Sequence, residues 1–178
     1  MTGGLKRFHE SRQSHFLTFS CSGRRPNFSA PPIYDLFLNR LEETRYRFDM
    51  RIYAYVIMPE HVHLLVSESD KETLANAMHF LKLSFTKTLG YKGSFWEKRY
   101  YDRNIRDANE FDEKLGYIHR NPVKRGLCLR PEDWPWSSFC AWALGEIHIV
   151  EVESEMAAAR RETRLREAAF SRQPCGDV

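Results

Sequence analysis

The sequence predicts an α+β domain, and three observations carry that expectation. Two stretches rich in β-formers, His15–Cys21 and Tyr53–Ser67, have strand length and end at turn residues. Apolar residues recur at helical spacing in three others, around Ile33–Phe48, Leu74–Phe85 and Phe111–Ile118. The chain has 178 residues, 42% hydrophobic and 13% aromatic, enough to bury one real core and of a length that suggests one domain.

Bulk properties exclude more than they assign. The net charge is +3 and the pI about 8.7, which is compatible with nucleic acid without pointing to it. Cys21, Cys128, Cys140 and Cys175 are scattered with no Cys-x-x-Cys pair, which argues against a cysteine-based zinc site and against a disulfide framework. Reduced thiols and a cytoplasmic location are the simplest expectation. No apolar run reaches signal-peptide or membrane-spanning length, so no membrane partner is expected.

Met1–Gln13 is polar and reads as a lead-in. His15–Cys21 is the first strand, and Gly23-Arg24-Arg25-Pro26 turns the chain. Arg24 and Arg25 at a strand end suit phosphates, or are simply two solvated arginines. Pro31 and Pro32 open a helix, with Ser29 as its cap and Ile33, Phe37, Leu41 and Phe48 as its stripe. A strand pair follows, joined at Met58-Pro59-Glu60. Tyr53 and Tyr55 share one face of the first of these strands. Asp70 caps a second helix striped by Leu74, Met78, Leu81 and Phe85, and Gly90 stops it.

The second strand of the pair carries His61 and His63. Residues two apart on a strand share a face, so the two imidazoles project together, about 7 Å apart along the strand. Val62, Leu64 and Val66 fill the other face. Two imidazoles converging beside a Pro-Glu turn suit one divalent metal ion. A strand with two polar residues toward solvent has the same pattern.

Phe95–Arg106 has a different texture, with aromatics such as Trp96 interleaved with Lys98, Arg99, Arg103 and Arg106. Rings that stack bases and cations that meet phosphates suit single-stranded nucleic acid, and the same alternation fits a half-buried strand. Glu110–Asn121 is a helix whose Phe111, Leu115 and Ile118 face the core. Tyr117 and Asn121, four apart, stack on another side. Pro122 disfavours helical geometry at Asn121, so the helix is expected to end there. Gly126 and Pro131 bracket a connection to Trp134 and Trp136, which are expected to pack rather than to stack bases. Residues 151–170 are rich in Ala, Glu and Arg and read as helical.

Four of these segments, taken in order, resemble the REP-associated tyrosine transposases of the single-tyrosine HUH superfamily. They are Val-Ile-Met-Pro-Glu-His-Val-His-Leu-Leu-Val66, Phe-Trp-Glu-Lys-Arg-Tyr-Tyr-Asp-Arg-Asn-Ile-Arg106, Tyr-Ile-His-Arg-Asn-Pro-Val-Lys-Arg-Gly-Leu127 and Pro-Glu-Asp-Trp-Pro-Trp-Ser-Ser138. The resemblance, which covers about residues 13–145, implies a ferredoxin-like antiparallel sheet with helices packed on one face. The domain is expected over residues 1–148, and the change of composition beyond it reads as a charged helical tail over 149–178. The resemblance also implies cleavage and rejoining of single-stranded or hairpin DNA through a 5′-phosphotyrosine, with Mg²⁺ or Mn²⁺ as cofactor. By residue it implies Tyr117 as nucleophile and His61, His63 and Asn121 as metal ligands. Related insertion-sequence transposases carry Gln at the Asn121 position; Asn agrees with the REP-associated branch.

The basic residues placed for DNA are Arg24, Arg25, Lys98, Arg99, Arg103, Arg106, Arg120, Lys124 and Arg125, with Trp96 as a stacking ring. A non-cleaving nucleic-acid-binding protein and a phosphoesterase that activates water at His61 and His63 are the alternatives. Monomer and homodimer are equally open.

Overall fold

A computed structural model of the chain describes residues 14–69, 71–154 and 163. The expected lead-in over residues 1–13, the Asp70 cap and nearly all of the expected tail helix lie outside them.

Four strands form one antiparallel sheet: β1 (Ser14–Ser20), β2 (Ile52–Ile57), β3 (His61–Ser67) and β4 (Tyr101–Asn104), in the order β2-β3-β1-β4. Helix α1 (Pro31–Phe48) joins β1 to β2, and α2 (Leu74–Leu89) joins β3 to β4. This is the βαββαβ order of a ferredoxin-like fold, followed by α3 (Ala108–Lys124) and a short α4 (Phe139–Ala143).

Strand alternation divides the sheet into two buried faces. Leu17, Phe19, Val62, Leu64 and Val66 meet Phe37 and Leu41 of α1 and Met78, Leu81 and Phe85 of α2. Phe16, Val56 and Leu65 meet Phe111 and Ile118 of α3 on the other side. The α+β class and the antiparallel sheet match the expectation. The expectation of helices on one face holds for α1 and α2 only, since the Phe111–Ile118 stripe needs a cover of its own and finds it on the opposite face. That second face is the one on which His63 lies.

Several local expectations change for physical reasons. Tyr53 and Tyr55 fall in different cores because β2 shifts register between Ile52 and Ala54, a bulge that reverses the alternation. Helix α1 begins at Pro31 with Ala30 at its cap position, and Ser29 does not cap it. The cap of α2 is Thr73, whose side chain accepts from the Asn76 amide, and Gly90 ends that helix at φ 66° as expected. Helix α3 does not stop before Pro122. It runs on to Lys124, with the Arg125 amide closing the last turn on the Asn121 carbonyl at 3.0 Å.

The chain after α3 returns along the free edge of β2. The Ile57 amide donates to Trp136 O, the Ser138 amide to Tyr55 O and the Glu153 amide to Ile52 O. Covering an edge this way removes a site for unwanted strand pairing. Trp134 and Trp136 pack, as expected: their indole N–H groups donate to Ile57 O and Asp35 Oδ1. Val150 and Val152 are buried in the first core, so the chain stays on the domain beyond the boundary expected at 148. No helix among the described residues is long and apolar enough to cross a membrane.

Candidate active site

The site grows from the turn between β2 and β3. The Glu60 carbonyl accepts from the Cys21 amide, the Pro59 carbonyl from the Phe28 amide, and the Met58 amide donates to His61 O. A turn held on three sides delivers His61 as the first residue of β3. His63, two residues on, projects to the same face and is opposite Thr18 in the β1–β3 register.

The two imidazoles meet. Their Nε2 atoms are 3.0 Å apart and the ring centroids 4.6 Å apart. His63 Nδ1 is 2.7 Å from Thr18 Oγ1, and His61 Nδ1 is 3.2 Å from Glu60 Oε1. Each ring therefore has an oxygen at its rear nitrogen and turns its front nitrogen toward the other ring. Burial, with His61 beside it, pushes the His63 pKa down to about 3. Burial lowers His61 too, against the opposing pull of Glu60. Both rings are held neutral.

Two neutral nitrogens converging with their outer nitrogens anchored fit a shared cation. Neighbouring ligands of an octahedral ion with bonds of about 2.1 Å are about 3 Å apart, close to the spacing seen here. Asn121, from α3, is 5% exposed, and its side-chain amide has no hydrogen-bond partner among the described residues, which leaves its oxygen free to serve as an oxygen ligand.

Tyr117, one turn before Asn121 on α3, reaches the same place. Its ring meets His63 edge-on with centroids 5.2 Å apart, and Phe16 edge-on at 5.9 Å. Phe16 itself stacks on His63. Tyr117 is 36% exposed, whereas Tyr53 and Tyr55, on the strand beside the histidines, are only 1% and 0% exposed. The Lys124 ammonium lies 5.9 Å from the Tyr117 ring centroid. The four residues singled out for chemistry thus come from two elements that the chain separates widely, His61 and His63 from β3 and Tyr117 and Asn121 from α3, and Tyr117 meets His63 on the second sheet face.

The residues placed for DNA divide into three groups. Arg24, Arg25, Lys98, Arg99, Arg120 and Lys124 are exposed, and Arg24 lies close enough for its charge to act on His61. Arg103, Arg106 and Arg125 are engaged within the protein. Arg103 and Arg106 both pair with Glu110, a carboxylate 8% exposed whose pKa is held down at about 2, first by the Arg106 amide. Arg125 pairs with Glu60. The stacking role expected for Trp96 is corrected: it is 7% exposed and packs among Phe19, Phe28, Phe37, Phe85 and Phe95. The interleaved pattern of 95–106 is core at Phe95, Trp96 and Ile105 and strand over Tyr101–Asn104, with Lys98 and Arg99 exposed and Arg103 and Arg106 turned to Glu110.

Sequence reasoning missed Thr18 and placed Arg125 for DNA rather than on Glu60, because neither contact has a signal until the β1–β3 register and the course of α3 are known. It also missed a second grouping of ligand-type side chains, Cys140, Glu146 and His148, whose donor atoms lie within 4.8 Å of one another. A Glu146–His148 contact of 3.5 Å accounts for two of the three.

Comparison with known proteins agrees with this geometry. The family model described as Transposase IS200 like matches residues 10–121. A REP-associated tyrosine transposase of Escherichia coli strain K12 is 26% identical over 136 residues, 75% of this chain and 81% of that protein. A Haemophilus influenzae protein provisionally given the same name is 30% identical over 149 residues, 75% of this chain and 84% of its own length. Among solved structures, a REP-associated tyrosine transposase bound to a REP hairpin superposes with a TM-score of 0.68 at 24% identity, over 79% of this chain and 86% of that one.

Proposed function

The chain belongs to the IS200-like transposase family, and from that premise we propose that it cleaves and rejoins single-stranded, hairpin-forming DNA with Tyr117 as its nucleophile. Transposases of this family act on DNA with a divalent metal; the assignment of Mg²⁺ or Mn²⁺ to His61, His63 and Asn121 is part of this proposal. The REP hairpin of the solved relative is the model for the DNA partner. The reading also puts the protein in the cytoplasm, with its DNA, and extends the catalytic unit through Ser154.

The Tyr117 oxygen attacks a backbone phosphorus. A new P–O bond to tyrosine forms as the P–O3′ bond breaks, leaving a 5′-phosphotyrosine and a strand with a 3′-hydroxyl. The phenolic proton leaves and the departing 3′ oxygen gains one, so charge and atoms balance. The covalent link conserves the phosphodiester for rejoining, when a 3′-hydroxyl attacks it in turn. A divalent ion, when bound, polarises the phosphate and offsets developing negative charge.

The chain supplies the rest. Thr18 and Glu60 orient the imidazoles through Nδ1. Phe16 packs both the His63 and the Tyr117 rings, restricting where the nucleophile can swing. Restricting the attacking group in this way is how enzymes convert a collision into a positioned reaction. The single observation that carries the reading is the Tyr117–His63 ring contact. A phosphoesterase that activates water has no use for a tyrosine there. The test is denaturing electrophoresis of the protein after incubation with a labelled hairpin oligonucleotide and Mn²⁺. A labelled protein band supports the proposal; cleavage with no covalent band favours activated water.

A further inference from the structure

Arg125 stands next to the site without a role in the chemistry above, and Glu60 enters it only at His61 Nδ1. The Glu60 side chain is 16% exposed, and its Oε1 lies 2.5 Å from Arg125 Nη2 and 3.2 Å from His61 Nδ1. Arg125 follows the last residue of α3, the helix that carries Tyr117 and Asn121. We propose that Glu60 and Arg125 form a latch, a pair of positioning residues that fix the orientation of His61 and pin the tyrosine helix to the histidine strand. The inference rests on the active-site reading just given and adds to it Arg125 and the tie between helix and strand.

Three features support a latch over a chance surface pair. The carboxylate has a fixed origin, since the backbone on both sides of Glu60 is held by the Cys21 and Phe28 amides. The same oxygen serves two partners, so moving Arg125 frees the carboxylate that faces His61. And α3 needs an anchor where Arg125 supplies one. Pro122 has no N–H, so the last turn of that helix lacks one of its hydrogen bonds. The Arg125 amide closes the turn on the Asn121 carbonyl, and its guanidinium ties the turn to Glu60.

The chemistry of the contact is that of a partner outside the ligand shell. An acceptor at Nδ1 selects the tautomer whose lone pair is on Nε2, the nitrogen that faces His63. His63 has a neutral partner for this, Thr18. His61 has a charged one, and Arg125 balances that charge, so Arg125 acts within the protein rather than on phosphate.

The test is Mn²⁺ binding to the full chain without DNA, read by the loss of the free-ion EPR signal. Hairpin affinity in EDTA is measured beside it. The variants are Arg125→Ala, Arg125→Lys, Glu60→Gln and the Glu60→Gln/Arg125→Ala pair. Partners of metal ligands typically influence affinity by 10–100-fold, and each single change is expected to weaken Mn²⁺ binding about 10-fold. The pair is expected to be no worse than either alone, because the two act as a unit. Arg125→Lys is expected to recover part of the loss, and hairpin affinity in EDTA to stay at the parent value. Parental Mn²⁺ binding by Arg125→Ala with weakened hairpin binding overturns the latch and makes Arg125 a phosphate contact. A His61→Ala/His63→Ala protein that binds Mn²⁺ as the parent does overturns the active-site reading itself, and the latch with it.

Discussion

The ring of Tyr117 meets the ring of His63 edge to face, with centroids 5.2 Å apart and planes 73° apart. One comes from α3 and the other from β3, and Phe16 of β1 touches both. A strand that presents neutral imidazoles and a helix that presents a half-exposed tyrosine are thereby joined at one point, and Asn121 lies one turn further along that helix. Predictions follow from how this point is supported.

Thr18 is the support behind His63. Thr18→Val keeps the shape of the side chain and removes the oxygen 2.7 Å from Nδ1. The fold is expected to persist while Mn²⁺ affinity falls about 10-fold, the usual size of such an effect. Isothermal titration with Mn²⁺ measures it; an unchanged affinity means that His63 is oriented by packing on Phe16 alone.

His119 predicts an acid-sensitive stability. Its Nε2 is 2.9 Å from Ser138 Oγ, which also accepts from the Tyr55 amide, so it clasps α3 to the segment covering β2. Burial, and then Arg120, pushes its pKa down to about 4 from 6.5. Between those values the unfolded chain holds a proton that the folded one does not, so stability is complete above pH 6.5 and falls as the pH drops toward 4. The loss is at most about 3 kcal/mol. His63 acts in the same direction. Urea midpoints of the parent and His119→Gln are expected to converge as the pH falls from 7.5 to 4.5; a gap independent of pH contradicts the assignment.

The basic residues are expected to separate into two kinds. Lys98→Ala and Arg99→Ala should weaken hairpin binding and lower the slope of affinity against salt by about one ion each. Arg103→Ala should leave that slope alone and destabilise the fold, because it strips a partner from buried Glu110. Trp96→Ala should lower stability by about 3–5 kcal/mol, as for other buried aromatic rings. Salt-dependent binding titrations beside urea melts make the distinction. A fold that survives Trp96→Ala undiminished, with hairpin binding lost, restores Trp96 as a stacking ring.

Much of this was legible in the sequence because it rests on period. The alternation through His61-Val-His63 predicts both the core face of β3 and the shared direction of its imidazoles. The spacing from Tyr117 to Asn121 predicts one helix side. Contacts that depend on register were not legible. Thr18 is unremarkable until β1 pairs with β3, and Tyr53 and Tyr55 look equivalent until the bulge at Ile52–Ala54 parts them. Trp96 looked like a stacking ring because interleaved rings and bases write the same pattern for a nucleic-acid surface and for a buried strand end. Pro122 misled as a stop signal, since a proline penalises the helix locally while the Arg125–Asn121 closure and the Glu60 contact carry it one turn further.

The central claim is that Tyr117 becomes covalently joined to DNA. Peptide mapping of the adduct trapped with a hairpin oligonucleotide and Mn²⁺ tests it most directly, alongside Tyr117→Phe, which removes only a hydroxyl from a half-exposed ring and should keep fold and hairpin binding. The account predicts the 5′-phosphate on Tyr117 in the parent and no adduct in the variant. A nucleotide on Tyr100 or Tyr101, or an adduct formed by Tyr117→Phe, contradicts it.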